Sequence, residues 1–348
     1  MVLKVGAQLG AFVLRRRIGV GAMGEVWAAS GGSGTEVAIK ALDPVLARDP
    51  MYRAMFLDEM RILEKLAHPN IAHCLGGQDS GDGALYYASE LIDGDDLRAL
   101  LVAAKQSRAP VPVRVALEVG LGVAAALTAA WEQLEVVHRD VKPANIMVST
   151  TGRVVLVDFG IALARERVTK TATGVRKGAP GYLSPEQMLG LEVGPKTDVF
   201  SLGIVLWELL SGRPMFARQS ELEVMTTLRS GWVAPIEDLR EDVPERLGAL
   251  IDSMLEEEPD ARSSSAEVVL ELTAVLDEIG DRKRATAVLG HFLASFRQAV
   301  SQTASFEAPD LRGSDDLETV ADSASEVLAQ AASRTEDPTV PIVLKRDE

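Results

Sequence analysis

The texture of the chain changes at Asp93-Gly94, and this change constrains the fold more than any other feature. Before it, short strand-like runs alternate with glycine-rich turns around one helical segment. After it, long apolar runs at helical spacing dominate. Strands followed by helices are typical of an α+β protein. The sequence therefore predicts two lobes: a small β-rich N-terminal lobe with one main helix, and a larger, mostly helical C-terminal lobe.

The N-terminal lobe is predicted to contain three strands in series and one helix. The strands cover 12–18, 26–29 and 36–42, and glycine-rich turns separate them. Apolar residues then recur at helical spacing over 50–66, and a proline closes the run.

In the C-terminal lobe, long apolar stretches predict helices over 113–134, 199–210 and 266–279. Two short apolar runs, 145–148 and 154–157, flank a Thr-Thr-Gly turn and predict a small strand pair.

The C-terminal part has a different composition. An amphipathic helix is predicted over 282–300; packing on the large lobe is its default role, with dimerisation or partner binding as alternatives. Residues 305–348 include eleven acidic and four basic residues, a net charge of −7. This composition predicts a solvated, disordered acidic tail with a short helical stretch over 324–332, and partner docking is the alternative.

Charge and cysteine content exclude several classes of protein. The 348 residues include 36 Lys and Arg against 51 Asp and Glu, a net charge of −15, which disfavours nucleic-acid binding. The single cysteine, Cys74, cannot form an internal disulfide, and no apolar leader follows Met1, so we expect a cytoplasmic protein.

The apolar run 115–131 is shorter than the roughly twenty residues of a membrane span and contains Glu118. It predicts a core helix and no membrane span.

Gly19, Gly21 and Gly24 form the pattern G-x-G-x-x-G. This pattern occurs in dinucleotide-binding folds, where the third glycine begins a helix, and also in flaps over phosphates. Here the strand-like run Val26-Trp27-Ala28 follows, so a phosphate flap is favoured and a nucleotide-binding oxidoreductase is disfavoured.

Lys40 ends the apolar strand Val-Ala-Ile-Lys, where an inward ammonium group would need a carboxylate and a phosphate as partners. Glu59, on the Met55 and Ile62 side of the next helix, is the candidate carboxylate. The alternative is an exposed Lys40 and a Glu59 on the helix surface.

Residues 138–145 read His-Arg-Asp-Val-Lys-Pro-Ala-Asn and place a titratable cluster directly after an apolar helix. Asp-Phe-Gly follows the next strand, so Asn145 and Asp158 are predicted at opposite ends of one hairpin. Amide and carboxylate oxygens suit a hard divalent cation, with nucleotide phosphates and water completing its shell.

In this order, the motifs resemble those of the protein kinase superfamily, and within it the bacterial serine/threonine kinases of eukaryotic type. They are the glycine loop, Val-Ala-Ile-Lys, His-Arg-Asp, Asp-Phe-Gly and Ser-Pro-Glu. The resemblance implies a bilobal kinase fold with an N-terminal extension 1–11, an N-lobe 12–92, a C-lobe 93–276, a helical extension 277–304 and a tail 305–348.

The resemblance implies an enzyme that transfers the γ-phosphoryl group of ATP to protein Ser/Thr hydroxyls, with ATP and Mg²⁺, or Mn²⁺, as cofactors. Asp140 would accept or orient the proton of the substrate hydroxyl, and Lys142 would neutralise the transferring group. Asn145 and Asp158 would hold the metal ion.

The nucleotide site follows from the same resemblance. Lys40, held by Glu59, would contact the α- and β-phosphates, and the small Ser89 would leave a back pocket open behind the adenine. The further ATP-binding residues implied are Ile18, Gly19, Val20, Gly21, Ala22, Met23, Gly24, Glu25, Val26, Ala38, Glu90, Ile92, Asp96 and Met147.

Regulatory and structural residues are implied as well. A phosphothreonine in the activation loop could pair with Arg139, so self-phosphorylation in a transient homodimer is a hypothesis; the candidates are Thr169, Thr171 and Thr173. Glu186 should pair with a buried Arg262, and Asp198 matches a structural position. Ala179 departs from the family pattern, in which a threonine supports the catalytic residues, and this departure bears on rate and Ser/Thr preference.

Two alternatives to a protein kinase remain at this stage. A nucleotide-binding pseudokinase scaffold would be expected to lack one of Lys40, Asp140, Asn145 or Asp158, and all four are present. A small-molecule kinase of related fold would not need Ser-Pro-Glu or an activation loop that receives a polypeptide. The expected partners are therefore protein substrates.

Overall fold

The computed structural model describes residues 3–21, 23–32, 34–79, 84–107, 110–159, 180–216, 221–229 and 233–280. The predicted helix over 282–300, the helical stretch over 324–332 and the acidic tail lie outside these ranges. Four site residues of the sequence analysis, and the departing alanine, also lie outside them: Ala22, Thr169, Thr171, Thr173 and Ala179.

The N-terminal lobe is built on one antiparallel sheet. Its strands are β1 (Gln8–Leu9), β2 (Phe12–Gly21), β3 (Gly24–Ser30), β4 (Glu36–Leu42), β5 (Cys74–Asp79) and β6 (Leu85–Glu90). They lie in the order β1-β2-β3-β4-β6-β5. The prediction over 36–42 is confirmed, whereas β2 and β3 extend into the glycine cluster and pair up to it as a hairpin. Strands β1, β5 and β6 were not predicted.

Strand β4 shows why this sheet forms. Val37, Ile39 and Ala41 are buried on one face, while Ala38 and Lys40 lie on the other face and are half-buried. This alternation has the period of two that a strand imposes. It directs Lys40 away from the N-lobe core and toward the cleft.

Helix α1 (Pro50–Lys65) is the main helix of this lobe, and the prediction over 50–66 is confirmed. Asp49 caps its N-terminus by accepting a hydrogen bond from the backbone N–H of Met51, and Pro50 occupies the first turn, where it costs no hydrogen bond. The buried face of α1 contains Met55, Phe56, Glu59 and Leu63. Glu59 is thus placed inward by the helix rather than on its surface.

A second, smaller sheet contains β7 (Gly94–Asp96), β8 (Ile146–Ser149) and β9 (Val154–Leu156). The predicted hairpin of β8 and β9 is confirmed, with Ile146 opposite Leu156. Strand β7 was not predicted. It pairs closely because residue 94 is glycine: a Cβ at Gly94 would lie 2.1 Å from the backbone oxygen of Val148.

The C-terminal lobe is mostly helical. Its described helices are α2 (Leu97–Ser107), α3 (Val113–Leu134), α4 (Pro185–Leu189), α5 (Lys196–Ser211), α6 (Glu221–Arg229), α7 (Ile236–Leu239), α8 (Glu245–Met254) and α9 (Ser265–Glu278). The three long apolar helices α3, α5 and α9 are confirmed predictions, and the five others were not predicted.

Helix α3 is, among the described residues, the one helix whose length and composition would let it cross a membrane. It has 22 residues, so the argument from the short apolar run was wrong on length. Burial shows the role of α3 in this fold. Of its most apolar stretch of 18 residues, 72% is buried, and Gly120 packs against Leu206 and Leu272 of the neighbouring helices. It is the central core helix of the C-terminal lobe.

The two lobes are joined behind the cleft by the segment after α1. Asn70 donates from its side chain to the backbone oxygen of Val154 at 2.7 Å, and its own backbone oxygen accepts from Leu156 at 2.8 Å. Ile71 forms a bridge with Leu156 and is buried in the core that continues into both lobes. These contacts fix one side of the cleft.

Candidate active site

The glycine-rich segment forms the turn of the hairpin between β2 and β3, with Gly21 opposite Gly24. Gly24 has a φ of +156°, and a Cβ there would lie 2.0 Å from the backbone oxygen of Ala41, so no other residue fits. The hairpin closes over the cleft end of β4 through a hydrogen bond of 2.8 Å from the backbone N–H of Asp43 to the backbone oxygen of Met23.

Glu25 was predicted to bind ATP, and in this structure its side chain contacts residues of the hairpin. Its carboxylate accepts from Arg17 of β2 at 3.2 Å and from the indole N–H of Trp27 at 2.8 Å. Both bonds lie within the hairpin. Glu25 therefore stiffens the two strands that carry the glycine loop.

Lys40, Glu59 and Asp158 form a three-membered charge cluster. The Nζ atom of Lys40 lies 2.7 Å from Oε1 of Glu59 and 2.9 Å from Oδ1 of Asp158. The side chain of Glu59 is 1% exposed, whereas that of Asp158 is 45% exposed. The alternative of an exposed lysine and a surface glutamate is therefore wrong for this pair.

The electrostatics of the cluster favour its charged form at Lys40 and Asp158. Burial alone would lower the pKa of Lys40, but Asp158 and Glu59 raise it well above its usual value. Lys40 in turn holds the pKa of Asp158 below its usual value. For Glu59, burial raises the pKa while the bonds from Lys40 and Tyr87 oppose that rise. One cation thus serves two carboxylates.

Residues 138–145, called the catalytic loop below, bring three predicted site side chains together. Oδ2 of Asp140 accepts from Nζ of Lys142 at 2.7 Å and from Nδ2 of Asn145 at 2.9 Å. Asn145 also donates to the backbone oxygen of Asp140 at 2.9 Å, and a short 3-10 turn, Pro143–Asn145, brings it back toward that residue. A carboxylate with a cation and an amide on one oxygen is well placed to orient a hydroxyl with the other.

The loop is held from below by helix α5. Asp198 accepts from the backbone N–H groups of His138 at 2.6 Å and of Arg139 at 2.7 Å. The backbone of Arg139 has a φ of +68°, a conformation that needs such support, and its carbonyl accepts from Gln187 at 2.9 Å. Asp198, predicted as a structural residue, thus contacts the catalytic loop directly.

The buried ring of His138 links the catalytic loop to the segment that carries Asp158. Its Nε2 atom lies 3.1 Å from the backbone oxygen of Val157, and its ring centroid lies 4.6 Å from that of the buried Phe159. Burial lowers the pKa of His138 to about 4, so the ring is neutral. Phe159 is 1% exposed and fixes the backbone after Asp158.

The two predicted metal ligands fit a divalent cation. The backbone N–H of Val157 donates to the backbone oxygen of Asn145 at 2.9 Å, so Asn145 and the residue before Asp158 lie on neighbouring chains. The Asn145 amide nitrogen is used by Asp140, and among the described residues no donor is bonded to its side-chain oxygen. Within those residues no cluster of three or more His, Cys, Asp or Glu exists, so a cation here would need phosphate or water ligands as well.

The three residues predicted to pack against the adenine lie on strands β3, β4 and β8. Val26, Ala38 and Met147 are each half-buried, as residues that border an open cleft are. Ala38 lies opposite Ser89 in the sheet, next to the segment that joins the lobes. Val26 and Ala38 thus lie on the N-terminal sheet, and Met147 lies on the second, smaller sheet.

Glu90, Ile92 and Asp96 were also predicted to contact the nucleotide. The backbone N–H of Glu90 donates to the backbone oxygen of His73 at 3.0 Å, and its carboxylate binds Arg153 of the lower lobe. Ile92 is half-buried beside it. Asp96 caps helix α2 by accepting from Ala99 at 2.8 Å, so a ribose would have to share that carboxylate.

The predicted pair of Glu186 and Arg262 is present deep in the C-terminal lobe. Two guanidinium nitrogens reach the carboxylate at 2.7 and 2.8 Å, and the guanidinium lies 4.8 Å from the ring centroid of Phe200. Its other N–H groups donate to the backbone oxygens of Lys196, Glu256 and Glu257. The pair anchors helix α4 to the start of α9.

One residue of the site was missed from the sequence. Tyr87 of β6 is 3% exposed and donates from its hydroxyl to Oε1 of Glu59 at 2.9 Å. The tyrosine pair in this short run was the available signal, but the partner of Tyr87 depends on the pairing of β6 with β4.

Comparisons with known proteins agree with this geometry. The family model described as protein kinase domain matches residues 12–272. The tyrosine-protein kinase MasK of Myxococcus xanthus is 38% identical over 271 residues, which cover 74% of this chain and 42% of MasK. The serine/threonine-protein kinase PknA of Mycobacterium tuberculosis is 36% identical over 269 residues, which cover 75% of this chain and 60% of PknA. The chain therefore spans about half the length of these relatives.

Among solved structures, the crystal structure of the Mycobacterium tuberculosis PknI kinase domain is similar to this fold, with a TM-score of 0.61 and 26% sequence identity. The alignment covers 79% of this chain and 100% of that domain.

Proposed function

Because the chain belongs to the protein kinase domain family, we propose that it is an ATP- and Mg²⁺-dependent protein serine/threonine kinase. The observation that carries this proposal is the convergence of two clusters on one cleft. Lys40 with Glu59 and Asp158 faces the expected position of a nucleotide, and Asp140 with Lys142 and Asn145 faces that of an acceptor. A fold with either cluster alone would not support transfer.

The proposed chemistry moves one phosphoryl group and one proton. The substrate hydroxyl oxygen forms a bond to the γ-phosphorus of ATP, the bond from that phosphorus to the bridging oxygen breaks, and ADP leaves. Asp140 orients the hydroxyl and takes its proton, while Lys142 and Lys40 neutralise charge on the phosphates. Positioning by the hairpin and the catalytic loop supplies most of the effect.

Family membership implies ATP and a divalent metal ion, and we assign Mg²⁺ because both candidate ligands are hard oxygen donors. Asn145 and Asp158 would hold it, with phosphate oxygens and water as further ligands. When bound, such an ion neutralises charge on the phosphates and aligns them for transfer.

The preference for Ser and Thr over Tyr is the finer part of the proposal, since one relative is named a tyrosine kinase and another a serine/threonine kinase. The stretch Lys142-Pro143-Ala144-Asn145 supports Ser/Thr, because Lys142 takes the position that the serine/threonine pattern gives to a lysine. Its bond to Asp140 would leave a lysine beside the acceptor hydroxyl.

We propose self-phosphorylation of the activation loop, in a transient homodimer, as the regulation. Arg139 supports this: its backbone is fixed by Asp198 and Gln187, and among the described residues no acceptor is bonded to its guanidinium. A phosphate in the segment after Asp158 would supply one.

A protein that acts on ATP and has one buried, unpaired cysteine is also suited to the cytoplasm, which we propose as its location.

The test is mass spectrometry of the purified full chain after incubation with ATP and Mg²⁺, beside an Asp140→Asn control and with a generic basic protein as second acceptor. We expect phosphate on the wild type alone, on Ser or Thr, including Thr169, Thr171 or Thr173. Phosphate only on tyrosine would overturn the Ser/Thr assignment. Absence of phosphate on both proteins, with ATP still bound, would make the chain a nucleotide-binding scaffold and Ala179 the first residue to change.

A further inference from the structure

Tyr87 contacts both members of the pair that faces the nucleotide. It is cross-strand from Lys40 in the pairing of β6 with β4, so the two side chains lie on the same face of the sheet. The hydroxyl of Tyr87 donates to Oε1 of Glu59 at 2.9 Å, and the Nζ atom of Lys40 lies 5.8 Å from the ring centroid. No motif of the sequence includes this residue.

The same carboxylate oxygen therefore has two donors from two neighbouring strands. Lys40 of β4 reaches Oε1 of Glu59 at 2.7 Å, and Tyr87 of β6 reaches it at 2.9 Å. The Lys40 donor is shared with Asp158, whereas the Tyr87 donor has Glu59 as its bonded acceptor among the described residues. The tyrosine bond is thus the one that does not depend on where Asp158 lies.

The ring of Tyr87 fixes the position of this hydroxyl. Its centroid lies 5.3 Å from that of Phe56, which is fully buried on α1 three residues before Glu59. Tyr87 therefore touches helix α1 at two points, one apolar and one polar. Burial raises the pKa of the Tyr87 hydroxyl well above its usual value, so it remains a protonated donor near neutral pH.

The adjacent Tyr86 provides an internal contrast. It is equally buried, but it points to the opposite face of β6 and donates to Gln78 at 2.9 Å, away from the cleft. The two tyrosine hydroxyls of β6 thus serve opposite faces of the strand, Tyr86 bonded to an amide and Tyr87 to a carboxylate.

We propose that Tyr87 is a positioning residue that holds Glu59, and with it helix α1, in the place from which Glu59 orients Lys40 toward the nucleotide phosphates. The inference rests on the proposed function, since it gives Lys40 the role of contacting phosphate. It adds a second anchor for Glu59 that persists when a metal ion takes Asp158 away from Lys40.

The test compares Tyr87→Phe with Tyr86→Phe in the full chain, because each change removes one hydroxyl and keeps the ring. We expect Tyr87→Phe to lower kcat/KM for ATP about tenfold, mainly through KM, because a hydrogen bond to a charged group is lost. Tyr86→Phe should change it less than about twofold. In a Glu59→Ala background, which leaves Tyr87 no acceptor on residue 59, Tyr87→Phe should add less than about twofold, because the residue acts through Glu59.

Two measurements do not depend on phosphoryl transfer. The affinity for ATP with Mg²⁺, from calorimetry, should weaken about tenfold in Tyr87→Phe, and hydrogen exchange of the α1 amides should quicken there but not in Tyr86→Phe. Failure of the wild type to transfer phosphate would count against the proposed function alone. Equal affinity and exchange in the two tyrosine variants, or a full tenfold loss in the Glu59→Ala background, would overturn the role of Tyr87.

Discussion

Two carboxylate–cation pairs of the described residues, Arg262 with Glu186 and Lys40 with Glu59, have a buried carboxylate and differ in how their donors are used. In the C-terminal lobe, every N–H group of Arg262 has an acceptor, and two of the nitrogens bind Glu186. In the cleft, the ammonium of Lys40 is divided between Glu59 and Asp158, and the second carboxylate is open to solvent. The first pair is saturated, whereas the second has a partner that can be exchanged.

This difference separates a structural pair from a functional one. A saturated buried pair has nothing left to offer a ligand, and breaking it leaves an uncompensated charge. A shared lysine can give up one carboxylate when phosphate and metal arrive, because each of the separated groups gains a new partner. Burial alone does not distinguish the two cases, since Glu186 and Glu59 are both buried.

The largest expected effect is on the fold. Arg262→Leu should lower the free energy of unfolding by about 3–5 kcal/mol, since Glu186 would remain buried without its cation. Urea unfolding followed by circular dichroism measures this. The matched control is Arg246→Leu, because Arg246 pairs with Glu271 and Glu278 on the exposed surface, where little change is expected. If both variants lose the same stability, saturation is not what makes the first pair structural.

The second effect is on activity. Lys40→Met should slow phosphoryl transfer at least about 100-fold, or about 2.7 kcal/mol, while the free energy of unfolding falls by no more than about 1–2 kcal/mol. The loss of stability is smaller than at Arg262 because burial raises the pKa of Glu59, so this carboxyl can take up a proton when the cation is lost, and because Asp158 is solvated. Single-turnover kinetics and urea unfolding on one preparation check both parts. An unfolding loss as large as that of Arg262→Leu would remove the distinction between the pairs.

The sequence predicted those parts of the fold whose pattern is local. Strand β4 and helix α3 were correct at both ends, because one is bounded by turns and the other is apolar on every side. Strand β5 was missed since it contains two glycines and two polar residues, and β7 has three residues that pair only because β8 lies beside them. Helix α6 has only nine residues, so its apolar set, Val224, Met225 and Leu228, is too short a pattern to be recognised by spacing alone.

The site residues also divide into those that a local pattern predicts and those that depend on tertiary pairing. Asp140, Asn145 and Lys40 were found because their motifs are continuous in sequence. The partners of Glu25 and Tyr87 could not be found, because each contact requires a strand register that tertiary pairing sets. Tyr87 meets Glu59 only when β6 lies against β4, and no spacing along the chain encodes that.

The third effect concerns His138, which joins the two regions: its backbone donates to Asp198 of the C-terminal core and its ring contacts Phe159 of the cleft. Burial lowers its folded-state pKa from 6.5 to about 4. Between these values the unfolded chain binds a proton that the folded protein does not. The contribution of the neutral ring to the free energy of unfolding is therefore complete above pH 6.5 and is lost as the pH falls toward 4.

From pH 6.5 to pH 5 this loss should amount to about 2 kcal/mol of unfolding free energy. It is measured as the difference in pH slope between the wild type and His138→Phe, so that the carboxylates common to both cancel. His73→Gln, at an exposed histidine, should keep the wild-type slope. Equal slopes in His138→Phe and the wild type would mean that the ring is solvated in the folded protein.

The smallest effect belongs to a solvent-exposed pair, Arg17 with Glu25 in the glycine hairpin, where the arginine side chain is 55% exposed. Glu25→Gln keeps an acceptor for Trp27 and removes the charge, so KM for ATP should rise about twofold, or about 0.4 kcal/mol, with kcat unchanged. Glu36→Gln, an exposed change on β4, is the control and should leave KM unaltered. A tenfold rise at Glu25 would place this carboxylate with the shared pair of the cleft rather than with surface pairs, because only contact with the nucleotide accounts for so large a change.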